Sequence, residues 1–457
     1  MVVRNGTWEM TAVLTRRQLL EAAGIGSTAA LLAACSSGGS PSTSSATGPA
    51  SGDLQVWDWL ESPDDWGVAQ QKKFYKTYLP GHLKKVKLSS TLYGYTDMLP
   101  KITTAWRGGT TPDAARLAIA WSPQFVNQGV TAEIKLSDLG LTEDDFWPQA
   151  LQTVRKSGAS TGDPLYGIPS NNEAMMLVYN KGLFQKAGLD PSKGPATWKD
   201  LAAYAKEIHS KTGKYGFGMP AAQNNGNTPY RFVPVMWAYG SSILDELDEA
   251  PTWKKVGINS AGTIDALTLY NQMFNIDKST QPSAISDQES DVATLFAQGK
   301  VAMMIDHPSA VTQVRSLAPK IKIGADLIPK GPARRAVVFG GSNLHINAKT
   351  KNMSAAVAYL RSYLAPEWNT NLAGLGSNPG NRQGLKSEAQ KKKLPKMPFN
   401  DVTVKMMPYG VNVPLLAQGA QIWNTIIPDM IQAVLTKQNS PKQAVAEAET
   451  SIKKLLG

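Results

Sequence analysis

Short strand-like runs alternate with amphipathic helical stretches from residue 54 to the end of this chain, and that alternation is its strongest constraint. Leu54-Gln55-Val56-Trp57-Asp58-Trp59 reads as a buried first strand, with Trp57 and Trp59 on one face and Asp58 on the other. Val68, Gln71, Phe74, Tyr75 and Tyr78 then recur at the spacing of one helical face. A second strand follows at 86–88, a helix at 95–107 that stops at Gly108-Gly109, and a third strand at 113–119. The pattern resumes after Tyr166-Gly167-Ile168-Pro169, with strands at 175–179, 216–219, 301–305, 321–328, 337–339 and 343–346. Thr197 and Asp200 frame a capping box at the head of one helix. Further helices occupy 290–298, 352–365, 366–374, 416–435 and 440–456, the last opened by Ser440-Pro441. Strands separated by helices demand crossover connections, so the chain specifies an α/β layered fold with a mostly parallel sheet. Its 457 residues exceed one ordinary core and fit two domains.

The first 52 residues are of a different kind. Thr15-Arg16-Arg17-Gln18-Leu19-Leu20 gives a basic start, residues 22–34 form an uncharged run of small side chains, and Leu32-Ala33-Ala34-Cys35 closes it. This is the pattern of a signal peptide with a lipobox, in which Cys35 is lipidated and the chain is cut just before it. A membrane-spanning helix needs roughly 20 apolar residues, and Glu21 interrupts this run. The paired arginines also match a twin-arginine export signal, with Glu21 where that signal often has lysine; ordinary secretion is the alternative, and Met10 is an alternative start to Met1. Cys35 is the one cysteine, which excludes an intramolecular disulfide. Residues 36–52, SSGGSPSTSSATGPASG, carry neither charge nor a large apolar side chain and read as a flexible tether reaching roughly 20–25 Å. The body from residue 53 would then sit on the extracytoplasmic face of the cell membrane, held by its lipid anchor alone. The net charge of +11 is scattered, with one short cluster at Lys391-Lys392-Lys393, which argues against a nucleic-acid partner.

A series of short motifs runs in order along the body. They are Gly108-Gly109-Thr110-Thr111-Pro112-Asp113, Tyr166-Gly167-Ile168-Pro169, Tyr179-Asn180-Lys181 with Phe184, Ala187-Gly188-Leu189 and Thr197-Trp198. Then come Phe296-Ala297-Gln298-Gly299-Lys300-Val301-Ala302-Met303, Ile328-Pro329-Lys330-Gly331-Pro332 and Gly340-Gly341-Ser342-Asn343. In this order and spacing the chain resembles the family-1 extracellular solute-binding proteins, the maltodextrin-receptor-like carbohydrate receptors of ABC importers. The resemblance implies a two-lobed periplasmic-binding-protein fold of type II, with ligand in the cleft and hinge segments joining lobes that are discontinuous in sequence. Lobe one would hold 53–167 and 338–395, and lobe two 171–328 and 396–457. It further implies a monomer that traps a sugar or oligosaccharide by hinge closure and delivers it to the permease subunits of the importer. No cofactor and no metal is called for.

A sugar offers apolar ring faces, which stack on Trp or Tyr, and hydroxyls, which bind carboxylates, amides and arginine. Strand ends supply such groups: Asp58, Trp59 and Glu61 after the first strand, Tyr93 and Tyr95 after the second, and Trp121 after the third. Asn172 and Glu173 follow the first crossing, and the resemblance puts an acidic ligand contact at Glu173. Tyr230, Trp237 and Tyr239 are the expected aromatic platforms of the second lobe, with Trp423 a further candidate. Asp306 and His307 follow the strand at 301–305. Relatives carry an aromatic residue after Pro308, where this chain has Ser309, which narrows the pocket or moves stacking to Trp237 or Tyr239. Gly341, Ser342 and Asn343 join a permissive backbone to short polar side chains, suited to close ligand approach. Arg382 falls where relatives have a ligand-facing arginine, and a guanidinium suits vicinal hydroxyls.

Three other functions could use the same residue types. A glycoside hydrolase would place two carboxylates roughly 5–10 Å apart. The sequence has no G-x-S-x-G motif, and His82, His209, His307 and His345 lack metal-ligand spacing. The same fold could carry a polyamine, ferric ion or another small solute, although no adjacent tyrosine pair occurs. An envelope interaction protein with an empty cleft is the third alternative.

Overall fold

The computed structural model describes residues 3–4, 7–8, 49–59, 71–109, 112–224, 226–248, 251–373, 377–387 and 399–457. Cys35, the rest of the leader, most of the tether and Glu61 lie outside the described residues, as does the side chain of Tyr95. Residues 1–42 form one unit, in which Val3–Arg4 pairs antiparallel with Thr7–Trp8. Residues 43–457 form the other.

The strands of this larger unit are, in chain order, β1 (Gly52–Trp59), β2 (Val86–Tyr93), β3 (Ala114–Ala118), β4 (Ile168–Glu173), β5 (Met176–Asn180), β6 (Tyr215–Phe217), β7 (Val301–Asp306), β8 (Ile323–Asp326), β9 (Val337–Val338), β10 (Gly340–Ile346), β11 (Asn378–Pro379) and β12 (Gly410–Val411). Two sheets result. The larger runs β11-β4-β10-β3-β1-β2 and the smaller β8-β5-β7-β6, while β9 and β12 pair as a separate parallel ribbon. β1 lies parallel to both β2 and β3, as local strand–helix–strand units require.

The expectation of a mostly parallel sheet needs correction. β10 is antiparallel to β3 and β4, and β5 is antiparallel to β7 and β8. These strands do not arrive through local crossovers. β4 lies in the larger sheet and β5 in the smaller, with only Ala174 and Met175 between them. The return passage runs from β8 of the smaller sheet through β9 into β10 of the larger.

Local chemistry sets most element ends. The helix Tyr95–Arg107 stops before Gly109, whose φ of 70° is easy for glycine. The helix Trp198–Thr212 opens on a capping box, with the Asp200 amide donating to Thr197 Oγ1 at 3.1 Å and the Thr197 amide to Asp200 Oδ2 at 3.0 Å. Ser440 and Gln443 repeat the device for Pro441–Leu456.

Each sheet carries its own hydrophobic core. Leu54, Val56, Phe74, Ile168, Leu344, Tyr359 and Leu360 cover one face of the larger sheet, and Trp59, Met98, Ile102, Trp106, Leu117 and Phe125 form a second cluster beside it. Met175, Leu177, Phe184, Trp198, Phe217, Phe232, Trp237 and Met303 cluster around the smaller sheet. Each such buried side chain contributes about 1.5–3 kcal/mol of transfer free energy.

Candidate functional site

The end of β1 is built around a buried ion pair. Asp58 Oδ1 accepts from Arg116 Nε at 2.5 Å and from the backbone N–H of Trp59 at 2.7 Å, and Oδ2 accepts from the Tyr75 hydroxyl at 2.8 Å. Arg116, at the centre of β3, also donates to Trp59 O at 2.9 Å and to Ser342 Oγ at 3.1 Å. Its guanidinium carbon lies 3.9 Å from the centre of the Trp59 ring. Both charged residues are 1% exposed. Burial pushes the Asp58 carboxyl up, and Arg116 opposes that shift. Trp121 meets Trp59 edge-on at 5.5 Å, and Trp57 meets Tyr93 at 5.1 Å. Trp57, Tyr93 and Trp121 are half-buried, so each keeps an accessible edge.

A second cluster forms where the two sheets adjoin. Gly340 of β10 pairs with Glu173 of β4. A Cβ added at Gly340 would lie 2.6 Å from Glu173 Cγ and closer still to the Tyr230 hydroxyl. Tyr230 belongs to the helix Asn227–Ala238, whose Phe232, Val235 and Trp237 pack in the core of the smaller sheet. The Tyr230 ring lies 5.8 Å from His307 and 6.2 Å from Trp423. Trp423 sits on a π-helical turn, Ile422–Ile426, and donates to Gly226 O at 2.9 Å. Such turns often occur at functional sites.

His307 follows β7. Asp306 Oδ1 accepts the His307 backbone N–H at 2.8 Å and Arg231 Nη2 at 2.8 Å, and Arg231 Nε donates to Ile305 O at 3.1 Å. Burial lowers the His307 pKa; Glu173 opposes the shift and Arg231 adds to it. His307 Nδ1 has no hydrogen-bond partner among the described residues. Asn172 Nδ2 donates to Gly380 O at 2.9 Å, while its Oδ1 has no partner among the described residues. The chain then turns from β11 to Arg382, whose guanidinium lies 4.7 Å from the Trp147 ring centre with Nε unpartnered among the described residues.

The structure thus brings together Glu173, Tyr230, His307 and Trp423, and sets Asn172 beside them on β4. Several other expectations give way. Asp58 and Asp306 are sealed under their arginines and offer no face to solvent. Trp237 is 0% exposed and donates to Glu246 Oε1 at 2.8 Å, so it is a core residue rather than a platform. Ser342 shares a hydrogen bond with Ser170 Oγ at 2.7 Å and contacts Asn171 Oδ1. Asn343 donates to Ser122 Oγ and Thr153 Oγ1, both at 2.9 Å. Gly341, at φ 132°, lets β10 approach the Asn171 carbonyl more closely than a side chain would permit. Ser342 and Asn343 therefore spend side-chain hydrogen bonds on wiring the sheet together. Tyr239 is half-buried at the end of the Asn227–Ala238 helix. Arg116, Arg231 and Trp147 were not legible as site residues. The available signal was a lone arginine inside each of two apolar segments, Ala114–Ala118 and Asn227–Ala238. Among the described residues no group of three or more His, Cys, Asp or Glu side chains is placed to hold a metal ion. No helix among them is long and apolar enough to cross a membrane.

The model of the bacterial extracellular solute-binding protein family matches residues 66–370. The chain is 28% identical over 390 residues to a putative binding protein of Brucella abortus (strain 2308), covering 84% of this chain and 89% of that one. It is 25% identical over 452 residues to the diacetylchitobiose binding protein of Streptomyces coelicolor, covering 96% and 99%. The crystal structure of an ABC transporter solute binding protein from Thermotoga lettingae TMO, bound with α-D-tagatose, matches with a TM-score of 0.73 at 25% identity, over 89% of this chain and 100% of that one. The fold is the two-lobed one of maltose-binding-type receptors, and its members in this family are solute binders rather than enzymes. The chain therefore belongs to the bacterial extracellular solute-binding proteins, the substrate-binding receptors of ABC transporters.

Proposed function

We propose that this receptor captures a sugar or short oligosaccharide between its lobes and delivers it to the permease of an ABC importer, tethered outside the cytoplasm through a lipid on Cys35. The observation that carries this reading is the meeting of Glu173 and Tyr230 at Gly340, with the His307 ring 5.8 Å from that of Tyr230. A carboxylate, a phenol and an imidazole with a free nitrogen suit the hydroxyls of a sugar, and the rings of Tyr230, Trp423 and Trp121 suit its apolar face. Asn172 Oδ1 and Arg382 Nε extend the polar lining. Lobe one is taken as 53–167 with 338–395 and lobe two as 171–328 with 396–457. A large hydrophobic cluster around each sheet supports that division, with Ile119, Ala150, Val338 and Phe339 of the first lobe joining the cluster of the second. The paired Arg16-Arg17 supports twin-arginine export, and the monomer fits a cleft completed within one chain.

A thermal-shift screen of the purified protein against maltose, diacetylchitobiose, tagatose, spermidine and sn-glycerol 3-phosphate tests the ligand class. A ligand at 100 times its Kd adds about 2.7 kcal/mol to stability. The sugar assignment fails if spermidine or the phosphate raises the melting temperature and no sugar does. Cys35→Ser should move the protein from the membrane fraction to the soluble one; retention at the membrane would refute the anchor.

A further inference from the structure

Each lobe carries the same buried device at the end of a strand. Asp58 is the penultimate residue of β1, and Asp306 is the last residue of β7. Each aspartate accepts the backbone N–H of the next residue on Oδ1, at 2.7 Å for Trp59 and 2.8 Å for His307. The same oxygen accepts a buried arginine from a neighbouring element: Arg116 of β3 at 2.5 Å and Arg231 of the Asn227–Ala238 helix at 2.8 Å. Each arginine then donates to a main-chain carbonyl at that strand end, Trp59 O at 2.9 Å and Ile305 O at 3.1 Å. We propose that Asp58–Arg116 and Asp306–Arg231 are paired positioning devices, one per lobe, that fix the rings flanking the cleft.

Stability alone does not account for two such pairs. Desolvating both charges consumes most of what their attraction returns, and well-packed apolar residues of equal volume serve as well or better. What an Asp–Arg pair adds is direction. In lobe one the Arg116 guanidinium carbon lies over Trp59, 3.9 Å from its ring centre, and Trp59 in turn meets Trp121 edge-on. Fixing Trp59 therefore fixes the half-buried Trp121. In lobe two Arg231 adjoins Tyr230 on the same helix and clamps the strand end that bears His307. One guanidinium thus sets the spacing of both rings, 5.8 Å apart.

This inference rests on the sugar-cleft reading, and its test separates the two. The variants are Arg116→Met, Arg116→Lys, the double variant Asp58→Asn/Arg116→Met, and the double variant Asp306→Asn/Arg231→Met. The readouts are melting temperature, the near-ultraviolet circular dichroism of the Trp59–Trp121 pair, and calorimetric affinity for whichever of maltose, diacetylchitobiose or tagatose shifts the wild type most. Arg116→Met alone strands a buried carboxylate and should melt well below wild type. Its double variant should recover most of that loss, yet keep an altered tryptophan signal and bind the sugar about tenfold or more weakly. Arg116→Lys, which keeps the charge but not the planar guanidinium, should show the same altered signal. The lobe-two double variant should lose affinity with the tryptophan signal intact. Double variants with wild-type affinity and a wild-type tryptophan signal would overturn the proposal. If the wild type binds none of the three sugars, the cleft reading falls, and the tryptophan signal still decides whether Arg116 orients the rings.

Discussion

Gly340→Ala is the sharpest probe of the inter-sheet cluster. The φ at Gly340 lies outside the left-handed region, so alanine meets no backbone strain there. The obstacle is side chains alone. The new Cβ would sit 2.6 Å from Glu173 Cγ and 2.8 Å from Glu173 Oε1, with the Tyr230 hydroxyl nearer still. Ordinary van der Waals contact begins at 3.4 Å, so Glu173 must retreat by about 0.8 Å and Tyr230 by more. Overpacking of this kind costs about 1–3 kcal/mol, offset by about 0.4–1 kcal/mol from the stiffer unfolded chain. The net loss of stability is therefore about 0–2.6 kcal/mol. The loss of affinity should be larger, because both displaced groups are proposed ligand contacts. One misplaced charge-assisted hydrogen bond weakens binding by about 1.5–3 kcal/mol. Titration calorimetry and scanning calorimetry would be run on Gly340→Ala, Tyr230→Phe and the double variant. Removing the Tyr230 hydroxyl deletes the closest obstacle, so the double variant should be less impaired than the sum of the singles. Wild-type affinity in Gly340→Ala, with strictly additive singles, would refute the placement of Tyr230 and Glu173 around this glycine.

Three further outcomes are expected. Glu173→Ala and Arg382→Ala should each weaken sugar affinity by about 1.5–3 kcal/mol with little change in melting; unchanged calorimetric affinity in both would move the site away from the end of β4. Trp237→Ala should destabilise by about 3–5 kcal/mol in urea titration, since it empties a core site and removes a donor from buried Glu246; a loss below 1 kcal/mol would contradict its burial. Burial holds His345 down to a pKa of about 4; its Nδ1–H donates to Tyr166 O at 2.7 Å while Nε2 accepts from the Ser122 hydroxyl at 2.9 Å. The unfolded state then binds the extra proton between the ordinary histidine pKa of about 6.5 and 4, so the contribution is complete above that window. It should fall by about 3 kcal/mol as pH drops through it. His345→Gln should flatten that limb of the urea-stability profile, and an unaltered slope would count against the assignment.

Local chemistry was legible in the sequence and pairing was not. The helix Tyr95–Arg107, the capping box at Thr197 and the N-cap at Ser440 could be read because cap, glycine and amphipathic face lie within a few residues of one another. β10 could be read as strand-like, but its insertion between β3 and β4 depends on partners far upstream in the chain. The site divides along the same line. Glu173 and Tyr230 stood out through the family resemblance and His307 as a residue just past a strand, whereas the approach of Glu173 and Tyr230 at Gly340 is a long-range event. The burial of Asp58 and Asp306 is hidden from the sequence for a related reason. An aspartate at a strand end usually faces water, and only the fold reveals the arginine that covers it.

The passage from β8 to β10 runs through β9, the chain beyond β11 later passes through β12, and the pairing of β9 with β12 ties these two passages together. Val337–Val338 pairs in parallel with Gly410–Val411, and the Phe339 amide donates to Val411 O at 2.8 Å. Those two passages must bend as one strap. The remaining passage is the two-residue step at Ala174 and Met175. A body held at two points turns about the line through them, as a door turns on a pair of pins, and has little freedom to twist or slide. Glu173 stands beside one pin, where the lever arm is shortest, so it would travel least in any swing.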